Sequence, residues 1–147
     1  MRIPFSDVDM HGNVHNSRLV AYVEDAITDF LRATGLTARF DPRSGTAVYH
    51  VKKVEVVFQR PVRFGDVIDI TARPAHLGRT SLAFDVTVRP AEQPDAPPAV
   101  QGQVVWVCVD PATRRTVPIP AETRAALTRA GAEYADGRHD SGPQPGA

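Results

Sequence analysis

Near the N-terminus, Ser6-Asp7-Val8-Asp9-Met10-His11-Gly12-Asn13-Val14-His15-Asn16 gathers two carboxylates, two imidazoles and two carboxamides around one glycine. A run with helical periodicity follows it directly. The first N–H groups of a helix have no internal partner, and the macrodipole adds partial positive charge there. Such a terminus can polarise a carbonyl and stabilise the oxyanion that develops on attack. A carboxylate a few residues upstream, Asp9 above all, can face the same point. Gly12 lets backbone approach a ligand closely because it has no side chain. The chemistry this implies is attack on an activated carbonyl. On residue types alone the segment also reads as helix caps and a turn, because Asp, Asn and Gly are the usual turn formers. His11 and His15 have the spacing of some metal pairs, but no third ligand accompanies them, so neither metal nor cofactor is expected.

The elements that must position this segment are legible around it. Leu19, Val20, Val23, Ile27, Phe30 and Leu31 recur at helical spacing and make one apolar stripe. Asn16 is the expected N-cap and Gly35 the expected residue just past the end, which gives a helix over residues 16–34. Upstream, residues 1–7 are expected to form a short strand with Ile3 and Phe5 on one side. Downstream, a loop at 41–45 leads to a strand from Thr46 to Gln59, and Pro61 ends it. Val67 to Arg73 and Leu82 to Val88 alternate as strands on either side of a turn at Leu77-Gly78-Arg79. Residues 90–98 hold four prolines and read as an extended loop. Val100 to Val109 is apolar on both faces and is expected to be central. Ala121 to Ala130 can form a second helix. One domain over residues 1–130 and a disordered tail over 131–147 are expected. Consecutive strands with short turns imply an antiparallel sheet, and the single stripe implies that the sheet wraps the helix, an α+β fold.

Bulk properties narrow the class. Lys plus Arg and Asp plus Glu are 17 each, and this neutral balance argues against a nucleic-acid platform while leaving room for a small local cationic patch for a phosphorylated ligand. Cys108 is the only cysteine and sits in an apolar run, which reads as a core residue and not a nucleophile. No stretch approaches the ~20 apolar residues of a membrane helix. No secretory signal is visible, so a cytoplasmic location is the default expectation.

The motif Asp7-Val8-Asp9-x-x-Gly12-x-Val14-x-Asn16, with Phe5 before and Arg18 after, resembles the opening of the 4-hydroxybenzoyl-CoA thioesterase-like branch of hotdog-fold acyl-CoA thioesterases. That family typically shows D-x-D-x-x-G-H-V-N-N before a long helix. The resemblance continues in order through Tyr22-Val23-Glu24, Arg60-Pro61-Val62-Arg63-Phe64-Gly65-Asp66, Leu77-Gly78-Arg79-Thr80-Ser81 and Val107-Cys108-Val109-Asp110, covering about residues 3 to 129. It implies a hotdog fold, a curved antiparallel sheet around one long helix, and hydrolysis of an acyl thioester. It makes Asp9 the catalytic carboxylate, as nucleophile or as base for water. Gly12 and the backbone around Val14 and His15 would present N–H donors to the thioester oxygen. Arg79 would meet the CoA phosphates, with Thr80 and Ser81 near the pantetheine or the attacking water; Arg60 and Arg63 are weaker phosphate candidates. The active site would lie at the interface of a homodimer or tetramer.

The departures are specific. Asn13 stands where the family's usual His stands, and His15 replaces its first Asn, so the imidazole has moved. His15 is expected either to assist proton transfer near Asp9 or to serve only the start of the helix. Leu19 takes a place where an aromatic residue is common. Glu24 ranks well behind Asp9 as a catalytic acid. An acyl carrier protein thioester is the alternative substrate, and a non-catalytic acyl-CoA-binding module the alternative class. A hydratase is disfavoured because no hydratase-like Asp/His pair is found.

Overall fold

In the computed structural model, residues 1–43 and 47–136 are described. Helix α1 spans Asn16–Ala33 and buries Leu19, Tyr22, Val23, Ala26, Ile27, Phe30 and Leu31. Its C-terminus closes as expected. Gly35 takes φ 72°, its N–H bonds to Arg32 O (3.2 Å), and the Leu36 N–H reaches back to Leu31 O (2.7 Å). This is a Schellman end, with Leu36 buried beside Leu31. At the other end the cap is His15, and Asn16 is the first helical residue, not the N-cap.

A short helix α2, Thr37–Phe40, is followed by β1 Val48–Phe58, β2 Ile68–Leu77, β3 Ser81–Pro90 and β4 Val100–Val109. They form one antiparallel sheet in the order β1-β4-β3-β2, so β4 is indeed central. Leu82, Phe84, Val86 and Val88 of β3 stand beside Trp106, Val104, Gly102 and Val100 of β4, and this face packs on α1. The core has two parts. Leu19 and Tyr22, near the start of α1, pack with Val62, Ile68, Val88 and Val100. Ile27, Phe30 and Leu31, near its end, pack with Leu82, Phe84, Val104 and Cys108. The helix therefore runs along the sheet, and its N-terminus lies at the end where β2 begins and β3 finishes.

Three further expectations need correction. Residues 1–7 do not form a strand: only Arg2 makes a bridge, to Val67. Pro4, which has no N–H to donate, leads into a 3-10 turn over Phe5–Asp7. Ile3 is buried while Phe5 points to solvent, so the two do not share a side. Strand β2 runs past Arg73 through Pro74, because it is an edge strand with an irregularity between Pro74 and His76. Helix α3 runs Ala121–Asp136, beyond Ala130. A β-carbon at Gly131 would meet nothing nearer than Pro74 at 3.8 Å, so this glycine lies in the helix against β2. The rest of the expected tail, residues 137–147, and residues 44–46 of the expected loop and strand start lie outside the described residues. Among the described residues no helix is long and apolar enough to cross a membrane.

Candidate active site

The segment from Asp7 to Asn16 folds into a hairpin-like loop. Val8 bridges Val14, the Asp9 N–H bonds to Asn13 O (2.8 Å), and the Gly12 N–H returns to Asp9 O (3.0 Å). Gly12 makes the return possible with φ 78°, a left-handed conformation that side chains disfavour. Inside this loop the Asp9 carboxylate is fastened by its own backbone. Its Oδ1 accepts the N–H groups of His11 (2.8 Å) and Asn13 (3.1 Å). The Asn13 and His11 N–H bonds hold its pKa below the ordinary value of 3.8, with the nearby imidazoles adding to the effect. Oδ2 has no hydrogen-bond or ion-pair partner among the described residues. The carboxylate is thus ionised, oriented through one oxygen and open at the other.

The donors expected around Gly12, Val14 and His15 are already committed. The Gly12 N–H goes to Asp9 O, the Val14 N–H to Val62 O (2.8 Å) and the His15 N–H to Asp7 O (2.9 Å). The first turn of α1 closes onto the His15 carbonyl through Arg18 and Leu19. That leaves the N–H groups of Asn16 and Ser17 as the donors without a partner at this end, among the described residues. They are where the helix presents partial positive charge.

Sequence reasoning passed over the residue that joins these parts. Asp7 is buried at 8% exposure. It accepts hydrogen bonds from the Tyr22 hydroxyl and from Ser6 Oγ (3.2 Å), and Arg18 Nε lies 3.5 Å from its Oδ1. The Tyr22 bond, ahead of the contributions of Ser6 and Arg18, draws the Asp7 pKa down, and burial with the adjacent carboxylate pushes the Tyr22 phenol up. Its main chain receives the His15 N–H, so one residue ties the near side of the loop to the first two turns of α1. The available signal was Tyr22: a hydroxyl on an apolar helix face needs a buried partner.

Asp9, Asn13, Val14, His15, Asn16, Leu19 and Arg60 line one open cleft of about 500 Å³, with Phe58 at its border. Asn13 Oδ1 is buried there without a hydrogen-bond partner. Arg63 is adjacent, since its backbone bridges Asn13. Arg79, Thr80 and Ser81 are not part of this cleft. They form the β2–β3 turn at the opposite end of the sheet, roughly 30 Å away by the rise of a ten-residue strand. That turn is anchored to α3 through Arg124, which donates to Gly78 O (2.6 Å). Glu24 is exposed on the outside of α1. Cys108 is fully buried, and burial raises its thiol pKa. No group of three metal-ligating side chains occurs among the described residues.

Comparison with known proteins identifies the family and the fold. A family model described as Thioesterase-like superfamily matches residues 3–127. Over 119 residues the chain is 28% identical to the 1,4-dihydroxy-2-naphthoyl-CoA hydrolase of Synechococcus elongatus, covering 80% of this chain and 85% of that one. Over 120 residues it is 28% identical to the acyl-CoA thioester hydrolase YbgC of Escherichia coli O6:H1, covering 82% and 87%. The solved 1,4-dihydroxy-2-naphthoyl-CoA thioesterase from Synechocystis superposes with a TM-score of 0.77 at 18% identity, covering 87% of this chain and 92% of that chain. That likeness is one of fold: the sheet and helix form the hotdog arrangement.

Proposed function

The chain belongs to the thioesterase-like superfamily, and from that premise we propose that it hydrolyses an acyl-CoA thioester with Asp9 as the reacting carboxylate. The observation that carries the reading is the pairing of two features in one cleft. A carboxylate held ionised with one oxygen free stands close to a helix start whose Asn16 and Ser17 N–H groups are free. The thioester oxygen would rest on those two donors while its carbon faces Asp9 Oδ2. Two routes lead to the same products. Asp9 attacks the carbon, expels the thiolate as a mixed anhydride forms, and water then opens the anhydride; or Asp9 takes a proton from water as that water attacks. Either route uses the same free oxygen, Asp9 Oδ2. His15, beside the cleft mouth, is the available group to protonate the departing thiolate.

The assembly proposed is a homodimer. Strand β1 is a free edge, with Val51 51%, Val54 37% and Phe58 41% exposed. A long apolar edge invites pairing, and Phe58 already borders the Asp9 cleft. Antiparallel pairing of β1 with its copy reverses the second sheet end for end. The partner's Arg79 turn would then stand at the end where Asp9 lies, which a single chain does not achieve. The test is thiol release from short, long and aromatic acyl-CoAs by the native protein and Asp9→Ala. Turnover that collapses in the variant supports the reading, and turnover indifferent to Asp9 rejects it.

A further inference from the structure

Asp7 is not a group that meets substrate: it is buried and does not line the Asp9 cleft. It stands between the two halves of that site. Two residues further along the chain is Asp9, whose carboxylate is oriented inside its own loop by the His11 and Asn13 N–H groups. On the other side is α1, whose first residues, Asn16 and Ser17, carry the free donors. Asp9 Oδ2 makes no bond to those donors, so their spacing is set by whatever fastens the loop to the helix.

Three non-covalent contacts from α1 and its cap do so, and all three end on Asp7. The His15 N–H donates to the Asp7 carbonyl at 2.9 Å. From the second turn the Tyr22 hydroxyl donates to Oδ2, and from the first turn Arg18 Nε lies 3.5 Å from Oδ1. The Tyr22 bond is the strong one of the two side-chain contacts, because both residues are buried and the acceptor is ionised. Arg18 is mostly exposed, and water screens its attraction. Tyr22 is itself held by packing with Leu19, Val62 and Ile68. Without its hydroxyl, a buried carboxylate oxygen loses its donor, and the loop must shift to let water reach it. A shift of about 1 Å between reacting groups costs about 10²-fold in rate.

We propose, resting on the acyl-thioester reading, that Asp7 and Tyr22 are a positioning pair that sets the spacing between the Asp9 carboxylate and the donors at the start of α1. The pair touches no reacting atom. It governs the rate of the chemical step and not the binding of substrate.

The test is the kinetics of thiol release from acyl-CoAs by the full chain, assayed well below the Tm of each variant. In Tyr22→Phe kcat should fall about tenfold or more, with KM within about threefold of native. The acid limb of its rate profile should not move, because Asp9 is oriented inside its own loop. Asp7→Ala should lose more, and Asp7→Asn, which keeps an acceptor for Tyr22, should fall between native and Asp7→Ala. Gly35→Ala, destabilised at the far end of α1, should keep its kcat. Amide-hydrogen exchange needs no substrate: the His15, Arg18 and Leu19 amides, all bonded at the helix start, should exchange faster in Tyr22→Phe than in Gly35→Ala. Native kcat in Tyr22→Phe, a rise in KM in place of the fall in kcat, an equal fall in Gly35→Ala, or unchanged exchange would each overturn the pairing. Collapse in Asp9→Ala beside native kcat in Tyr22→Phe rejects the pair alone. Turnover indifferent to Asp9 rejects the thioesterase reading, and the pair with it.

Discussion

Replacing Gly102 with alanine should destabilise the protein by crowding a single contact. A β-carbon at position 102 would sit 2.8 Å from Val23 Cγ1 and 3.2 Å from Cγ2. Both residues lie where the central strand crosses the middle of α1, and Val23 has no exposed surface. The added methyl must therefore lift the helix or force Val23 off its rotamer, at a cost of about 1–3 kcal/mol. For a chain of this size that corresponds to a fall in Tm of about 2–12 °C. Val23→Ala alone should cost about 2–3 kcal/mol, from two buried carbons and the cavity they leave. In the double variant the new methyl occupies part of that cavity, so the two costs should fall short of their sum by about 1 kcal/mol or more. Calorimetric melting of the four proteins measures this directly. Costs that simply add, or a neutral Gly102→Ala, would refute the packing argument. Lifting α1 also moves the Asn16 and Ser17 donors, so thioester turnover should fall further in Gly102→Ala than in the double variant.

Four other outcomes are expected. The acid limb of kcat/KM should lie below the ordinary carboxylate value of 3.8, because Asp9 is held ionised by two backbone N–H groups; a rate profile with brief acid exposure reads it. Asp7 also has a lowered pKa, so its stabilising contribution is present above its unfolded value of about 3.9 and is lost as pH falls through the lower folded one. Asp7→Asn should accordingly melt lower than native at neutral pH, with the gap narrowing below about pH 4. Gly35→Ala should cost about 1–2 kcal/mol, from its left-handed backbone alone, since nothing lies within 4 Å of the added carbon. Val54→Asp should leave a monomer in sedimentation analysis and abolish turnover, if the β1 edge completes the site.

What the sequence disclosed depended on how local the cause was. Helix α1 was legible because its stripe recurs from Leu19 to Leu31 and Gly35 marks its end. Strands β3 and β4 were legible through alternation and through apolar character on both faces. The Asp9 loop stood out by composition, but its hydrogen bonds did not. That Val14 and His15 spend their N–H groups inside the chain depends on Val62 and Asp7, partners that no spacing rule names. Asp7 itself looked like the lesser of two aspartates until burial set it against Tyr22. Pro74 looked like a strand end because its tolerance depends on β2 being an edge. The Arg79 turn was assigned by resemblance, which follows order along the chain and says nothing of which end of the sheet each motif reaches.

The ring that holds Asp9 closes within five residues, from the aspartate to Asn13 and back. The carboxylate is oriented by main-chain groups of its own loop, and that loop is fastened to the Val62–Phe64 segment by main-chain bonds in turn. No side chain other than that of Asp9 takes part in those orienting bonds. Under the proposed reading a redesign of specificity can begin at the exposed Phe58, whereas Leu19, buried in one cluster with Val14 and Tyr22, also holds the packing beneath the loop.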